Sequence, residues 1–193
     1  MLSLPDWAFY PLAAMIIGGM VVTAVSFGEN HQRSPEEIRA EGIVYEGEAL
    51  AALIVGNGLT VEFLQENGTR FARIMAARGP LDGIQSAGAF FTLSPDERSA
   101  IDGHRVRVQF VAKAAPEAAA AEVRANLFIP GRTQSHWETF SLTDDHQVFT
   151  LDITPRDCTN SYAYAGLWPD WTNGANTVDL QLVEITILEP ISC

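Results

Sequence analysis

Lysine is close to absent from this chain: Lys113 is the single one in 193 residues, and 12 basic residues face 24 acidic ones for a formal charge of −12. Phosphate binding needs clustered Lys or Arg that release counterions, so nucleic acid is excluded as a partner. Anionic lipid headgroups are disfavoured for the same reason. Basic proteins, cations and neutral ligands such as sugars remain compatible. Metal-ligand patterns are missing too. No Cys-x-x-Cys or Cys/His spacing points to zinc, and His31, His104, His136 and His146 form no His-Glu-x-x-His set. No Gly-x-Ser-x-Gly elbow presents a nucleophile. Gly56-Asn57-Gly58 is followed by no lysine-bearing helix and reads as a hairpin turn, not a phosphate loop. The acid pairs Asp96-Glu97 and Asp144-Asp145 point neighbouring side chains in different directions, unlike a glycosidase pair, and read as solvated turn acids. No enzyme and no cofactor is expected.

Cysteine is limited to Cys158 and Cys193, the latter the last residue. A disulfide between them would pin the terminus and close a loop of about 35 residues, worth roughly 3 kcal/mol or more in the loop-entropy model. Two unrelated thiols are the other reading.

What the chain does contain is apolar surface: 47% hydrophobic against 19% charged residues, enough for one ordinary domain core. Part of it is an uncharged run from Trp7 to Gly28. About 20 such residues in a helix cross a hydrocarbon layer of roughly 30 Å, with Trp7 and Tyr10 at the headgroup level and Pro11 in the first turns. The expectation is a retained transmembrane helix within residues 1–28. Ala24-Val25-Ser26 also fits a signal-peptidase site, but Met1 to Asp6 carries no Lys or Arg and one acid. Ala14, Gly18, Gly19 and Val22 give this helix one small-residue face suited to packing on another membrane helix. Arg33 and Arg39 after the run argue for a cytoplasmic domain. The acids Glu29, Glu36 and Glu37, the cysteine pair and the domain type argue for an extracytoplasmic one, periplasmic in a Gram-negative cell, which is the orientation expected.

Residues 29–45 read as a linker with a short capped helix. Ser34-Pro35-Glu36-Glu37 has the form of a capping box, with a stop at Gly42, and Ser94-Pro95-Asp96-Glu97 repeats it. Period-2 alternation marks strands at Leu59–Phe63, Arg105–Phe110, Val148–Ile153 and, as one continuous period, Val178–Ile187. Turn signals separate them at Gly56-Asn57-Gly58, Glu66-Asn67-Gly68, Leu81-Asp82-Gly83, Pro130-Gly131 and Asn173-Gly174. Asn67-Gly68-Thr69 matches a glycosylation sequon, although the Asn-Gly turn accounts for it. Alanine-rich Ala114–Ala121 contains Pro116 and reads as a loop. The fold class expected is all-β: a jelly-roll sandwich of two antiparallel sheets over residues 46–193, preceded by one transmembrane helix.

Over roughly Glu46 to Leu188 the chain resembles carbohydrate-binding modules of the family 4/9 type, within the galactose-binding-like jelly rolls. The resemblance rests on Gly68-Thr69-Arg70-Phe71-Ala72-Arg73-Ile74, on Gly103-His104-Arg105-Val106-Arg107-Val108-Gln109-Phe110-Val111-Ala112-Lys113-Ala114, on His146 to Ile153, and on the long last strand. It implies a sugar-binding or adhesive jelly roll. His146 stands where the family often has Trp, and Val183 where it often has the Asp of a structural calcium, so calcium is doubtful.

Tyr162, Tyr164, Trp168, Asp170, Trp171 and Asn173 form the candidate ligand- or partner-binding group. Aromatic faces stack on pyranose rings, Asp170, Asn173 and Asn176 can bond hydroxyls, and the tryptophans sit in a Pro/Asp/Asn/Gly segment. The other reading puts Trp168 in the core and Trp171 on a sheet edge; an exposed aromatic loop also suits a protein interface. Trp137 reads as core. The function expected first is a non-catalytic accessory subunit docked in a larger membrane complex, respiratory or photosynthetic. The alternative is a carbohydrate-binding module using the Trp168–Trp171 loop.

Overall fold

The computed structural model describes residues 33–79, 87–132, 136–172 and 176–192. The membrane helix expected within residues 1–28, with Ala14, Gly18, Gly19 and Val22, lies outside them. Among the described residues no helix is long and apolar enough to cross a membrane. The chain divides between Arg33 and Ser34, and the second unit is an all-β sandwich.

Both capping boxes form. Ser34 Oγ accepts from Glu37 N while Ser34 N donates to Glu37 Oε2, which starts α1 (Pro35–Glu41). Ser94 and Glu97 repeat the exchange at α2 (Pro95–Ile101). Each exchange satisfies two helix-end donors, so seven residues hold as a helix despite their length. Arg39 donates to the carbonyls of Ser99 and Ala100, tying α1 to the end of α2.

The strands follow the alternating runs: β1 (Ile43–Glu46), β2 (Ile54–Val55), β3 (Leu59–Glu66), β4 (Thr69–Ala76), β5 (Ala89–Thr92), β6 (His104–Ala114), β7 (Glu122–Phe128), β8 (Glu138–Ser141), β9 (Gln147–Ile153), β10 (Tyr164–Pro169) and β11 (Thr177–Pro190). β1 thus begins inside the segment read as a linker. One sheet runs β3-β4-β11-β6-β9, with β1 also on β11; the other runs β2-β5-β10-β7-β8. Asn67 and Gly68, both at positive φ, close the β3–β4 hairpin in the two-residue turn that matches strand twist.

β11 does not keep one period. Leu180 pairs with Ala112 but Leu182 with Val111, a bulge at Gln181. One inserted residue exchanges the two faces of everything after it. Val178 and Leu180 face the core before the bulge, Val183 and Ile185 after it, and all four are fully buried. The adjacent apolar pair Leu182-Val183 is the sequence trace of that exchange. Val183, in the calcium-type position, is therefore a core residue.

The core between the sheets gathers Phe91, Phe110, Leu127, Leu151, Ile153 and Ile185 among others. Tyr45 of β1 stacks on Phe91 of β5 at 4.2 Å, joining the two sheets ring to ring. Outside the core, Asp179 is 1% exposed and takes a two-point bond from Arg73, Nε and Nη2 each at 2.8 Å. Removing one partner of a buried pair leaves the other uncompensated. Asp179→Ala should therefore cost about 3 kcal/mol in urea-unfolding free energy, and a change under a third of that would show that water already screens the pair.

Candidate ligand-binding face

The outer face of the five-stranded sheet is built on β10. Ala165 and Leu167 turn inward, so alternation sends Tyr164, Gly166 and Trp168 to the opposite face. Across β5 they meet Thr92 and Phe90; across β7 they meet Phe128, Asn126 and Arg124. The middle of this face is covered by the protein itself. Trp168 is 1% exposed and its indole N–H donates to the Arg78 carbonyl at 2.9 Å. Gly88 passes so close to Leu167 and Trp168, and Gly166 to the Ala87 carbonyl, that a Cβ at either glycine would collide with backbone oxygen. Trp168 is therefore a packed ring and offers no face to a ligand, which corrects its place in the candidate group.

The turn after β10 is occupied as well. The Trp171 ring is half-buried, touches Gly79 and lies under the Arg124 guanidinium at 4.7 Å. Asp170 Oδ1 accepts from Trp171 N and Thr172 N, and Oδ2 from Thr172 Oγ1 at 2.6 Å. These bonds, led by the Thr172 hydroxyl, hold the Asp170 carboxyl below the usual carboxylate range. Asp170 thus closes a turn. Asn176 does similar work: its Nδ2 donates to the Ala76 carbonyl and its Oδ1 accepts from Thr177 Oγ1. Asn173 lies outside the described residues.

The other end of β10 is different. Tyr162 and Tyr164 stack at 5.7 Å and 18°, and Phe90 meets Tyr164 edge-on at 5.5 Å. All three rings are half-buried, each keeping part of its surface in solvent. Tyr164 and Pro169 stand five strand steps apart, about 17 Å, so the candidate aromatics form two groups and not one loop.

Two features beside the tyrosines were missed by the sequence reading. Asn126, fully buried in β7, accepts from Arg132 Nε at 2.7 Å, and Arg132 also bonds Glu138 at 2.9 Å. A polar residue inside the apolar run Ala125-Asn126-Leu127-Phe128 was its only signal. Trp137, read as core, meets Phe128 edge-on at 5.0 Å and packs partly buried against the core. The second feature is a groove of about 650 Å³ lined by Pro130 and the run from Arg156 to Ser161. Its loop is tied at three points: Cys158 is disulfide-bonded, Asn160 N and Nδ2 both donate to Asp102 Oδ1 at 2.8 Å, and Arg98 donates to the Ser161 carbonyl. The chain's other cysteine, Cys193, lies outside the described residues. Among the described residues no cluster of three or more His, Cys, Asp or Glu stands together as metal ligands.

Solved structures place this architecture. The xylan-binding CBM22-1 domain of Paenibacillus barcinonensis Xyn10C matches with a TM-score of 0.53 and 14% identity, covering 78% of this chain and 95% of that one. What the two share is the fold, a two-sheet β-sandwich of the jelly-roll kind. The C-terminal family 22 carbohydrate-binding module of Clostridium thermocellum Xyn10B matches at 0.50 and 10% identity, with the same two coverages. No protein-family model and no curated protein sequence matches the chain. At these identities the shared statement is the fold, and the 4/9 label of the sequence resemblance is finer than it supports.

Burial separates the two tryptophans in a measurable way. Trp168→Ala should cost about 3–5 kcal/mol of stability, the range for emptying a packed indole site, and Trp171→Ala clearly less. Equal, small losses in a denaturant series would show that Trp168 is not packed as described.

Proposed function

We propose that this chain is a non-catalytic glycan-binding module whose ligand lies across Tyr162 and Tyr164 at the open end of the five-stranded sheet. The observation that carries the reading is the stacked tyrosine pair, held partly in solvent beside a rigid polar groove. Tyrosine presents a broad apolar ring with a hydroxyl at its tip, the combination a sugar ring with equatorial hydroxyls requires. A fold shared with xylan-binding modules makes β-linked pentose or hexose chains the first ligands to try. The −12 charge favours neutral chains over polyanions. The disulfide at Cys158 supports a compartment outside the cytoplasm.

The accessory-subunit reading draws no support from the described residues or from the solved structures, and the membrane helix it needs falls within residues 1–28. The glycan reading moves the site away from the Trp168–Trp171 segment, whose rings are packed and capped.

In calorimetric titration with xylohexaose, and with cellohexaose beside it, the chain should bind at least one of the two. Tyr164→Ala should weaken that binding about tenfold, or about 1.4 kcal/mol, with the thermal midpoint little changed. Binding untouched by both Tyr162→Ala and Tyr164→Ala would rule this face out.

A further inference from the structure

The arginines around the tyrosine face are nearly all committed. Arg132 is held by Asn126 and Glu138, Arg124 sits on Trp171, and Arg98 caps the Ser161 carbonyl. Arg156 is not. It is exposed, lines the groove, and makes no ion pair with any described residue. Its stem is nonetheless placed: Cδ lies 3.6 Å from where a Cβ on Gly131 would stand, so the side chain runs along the Pro130-Gly131 turn. Asn160, which also lines the groove, is equally fixed, because it is anchored on Asp102 through both its N–H and its Nδ2. That anchoring also settles which way the amide points, since a carboxylate accepts only from Nδ2. Asn160 Oδ1 is thereby left without a partner, in a residue 7% exposed.

The groove and the tyrosines are contiguous. Ser161 of the groove directly precedes Tyr162, and Pro130 follows by two residues the Phe128 that pairs with Tyr164. A ligand lying on the tyrosines therefore extends past Pro130 toward Arg156.

We propose, resting on the glycan reading above, that Arg156 is a specificity residue that receives the carboxylate of an acidic sugar branch carried on an otherwise neutral chain. A free guanidinium over a fixed turn offers the planar fork that a carboxylate matches in two bonds, and Thr159 and Ser161 supply hydroxyls beside it. The number of charges follows from the surroundings. Asp157 also lines the groove and the whole chain carries −12, so each further carboxylate on a ligand meets repulsion, while a single one placed at Arg156 has the charges beyond about 8 Å largely screened.

The test is a pair of titrations of the full chain with xylohexaose and with a xylo-oligosaccharide of equal backbone length bearing one glucuronic acid. The branched acid should bind about tenfold tighter, the worth of one charge-assisted pair. Arg156→Gln should erase that preference, bringing the two affinities together, whereas Tyr164→Ala should weaken both. Neutral binding without an acid preference, or a preference that survives Arg156→Gln, would overturn the assignment of Arg156 and leave the tyrosine face standing. Binding of neither probe would remove the glycan reading and this inference together.

Discussion

Strand β11 is the constraint on which the rest of the molecule depends. Its fourteen residues carry β6 along one edge and β4 then β1 along the other, so three strands take their register from it. The bulge at Gln181 falls where the neighbour on that edge changes from β4 to β1, and it exchanges which face is buried. Without it, Val183 and Ile185 would point to solvent, and β1 would lose the register that puts Tyr45 on Phe91. Asp179, two residues before the bulge, bonds Arg73 of β4 and braces the same junction from outside.

The six-stranded sheet built on β11 supplies the floor, and the five-stranded sheet supplies the candidate face. That face is divided by burial. From Gly166 onward β10 lies beneath Arg78, Ala87 and Gly88, and the glycines are required because any side chain would strike a carbonyl. Before Gly166 the strand is open, and the tyrosines stand there. The rigidity of the adjoining groove comes from outside the sheet, through the disulfide and the Asp102 and Arg98 bonds to loop 156–161. A preformed rigid site loses little entropy when a ligand arrives. It is also selective, because its polar groups cannot move to suit a poor match.

How much of this is legible in the residues differs with the range of the forces involved. The capping boxes at Ser34 and Ser94 are local, and a four-residue pattern suffices to read them. The strands are readable from alternation, and the Asn67-Gly68 turn from the residues' tolerance of positive φ. The β11 bulge is written in Leu182-Val183, yet a single long period absorbs it unless the parity is followed residue by residue. Trp168 shows what cannot be read locally. Its Pro/Asp/Asn/Gly neighbours suggest an exposed loop, but its burial comes from Arg78 and Gly88, some eighty to ninety residues earlier in the chain. The groove at Arg156 is hidden for the same reason, since Pro130 and Ser161 become neighbours only through the pairing of β7 with β10.

Amide chemical-shift mapping during titration with a xylo-oligosaccharide tests the central claim most directly, because it locates the ligand without presuming which side chain holds it. The account predicts that the largest changes fall at Phe90, Tyr162 and Tyr164 and run into residues 156–161. Changes concentrated on Trp171 and Thr172, or on the outer face of the six-stranded sheet, would contradict it.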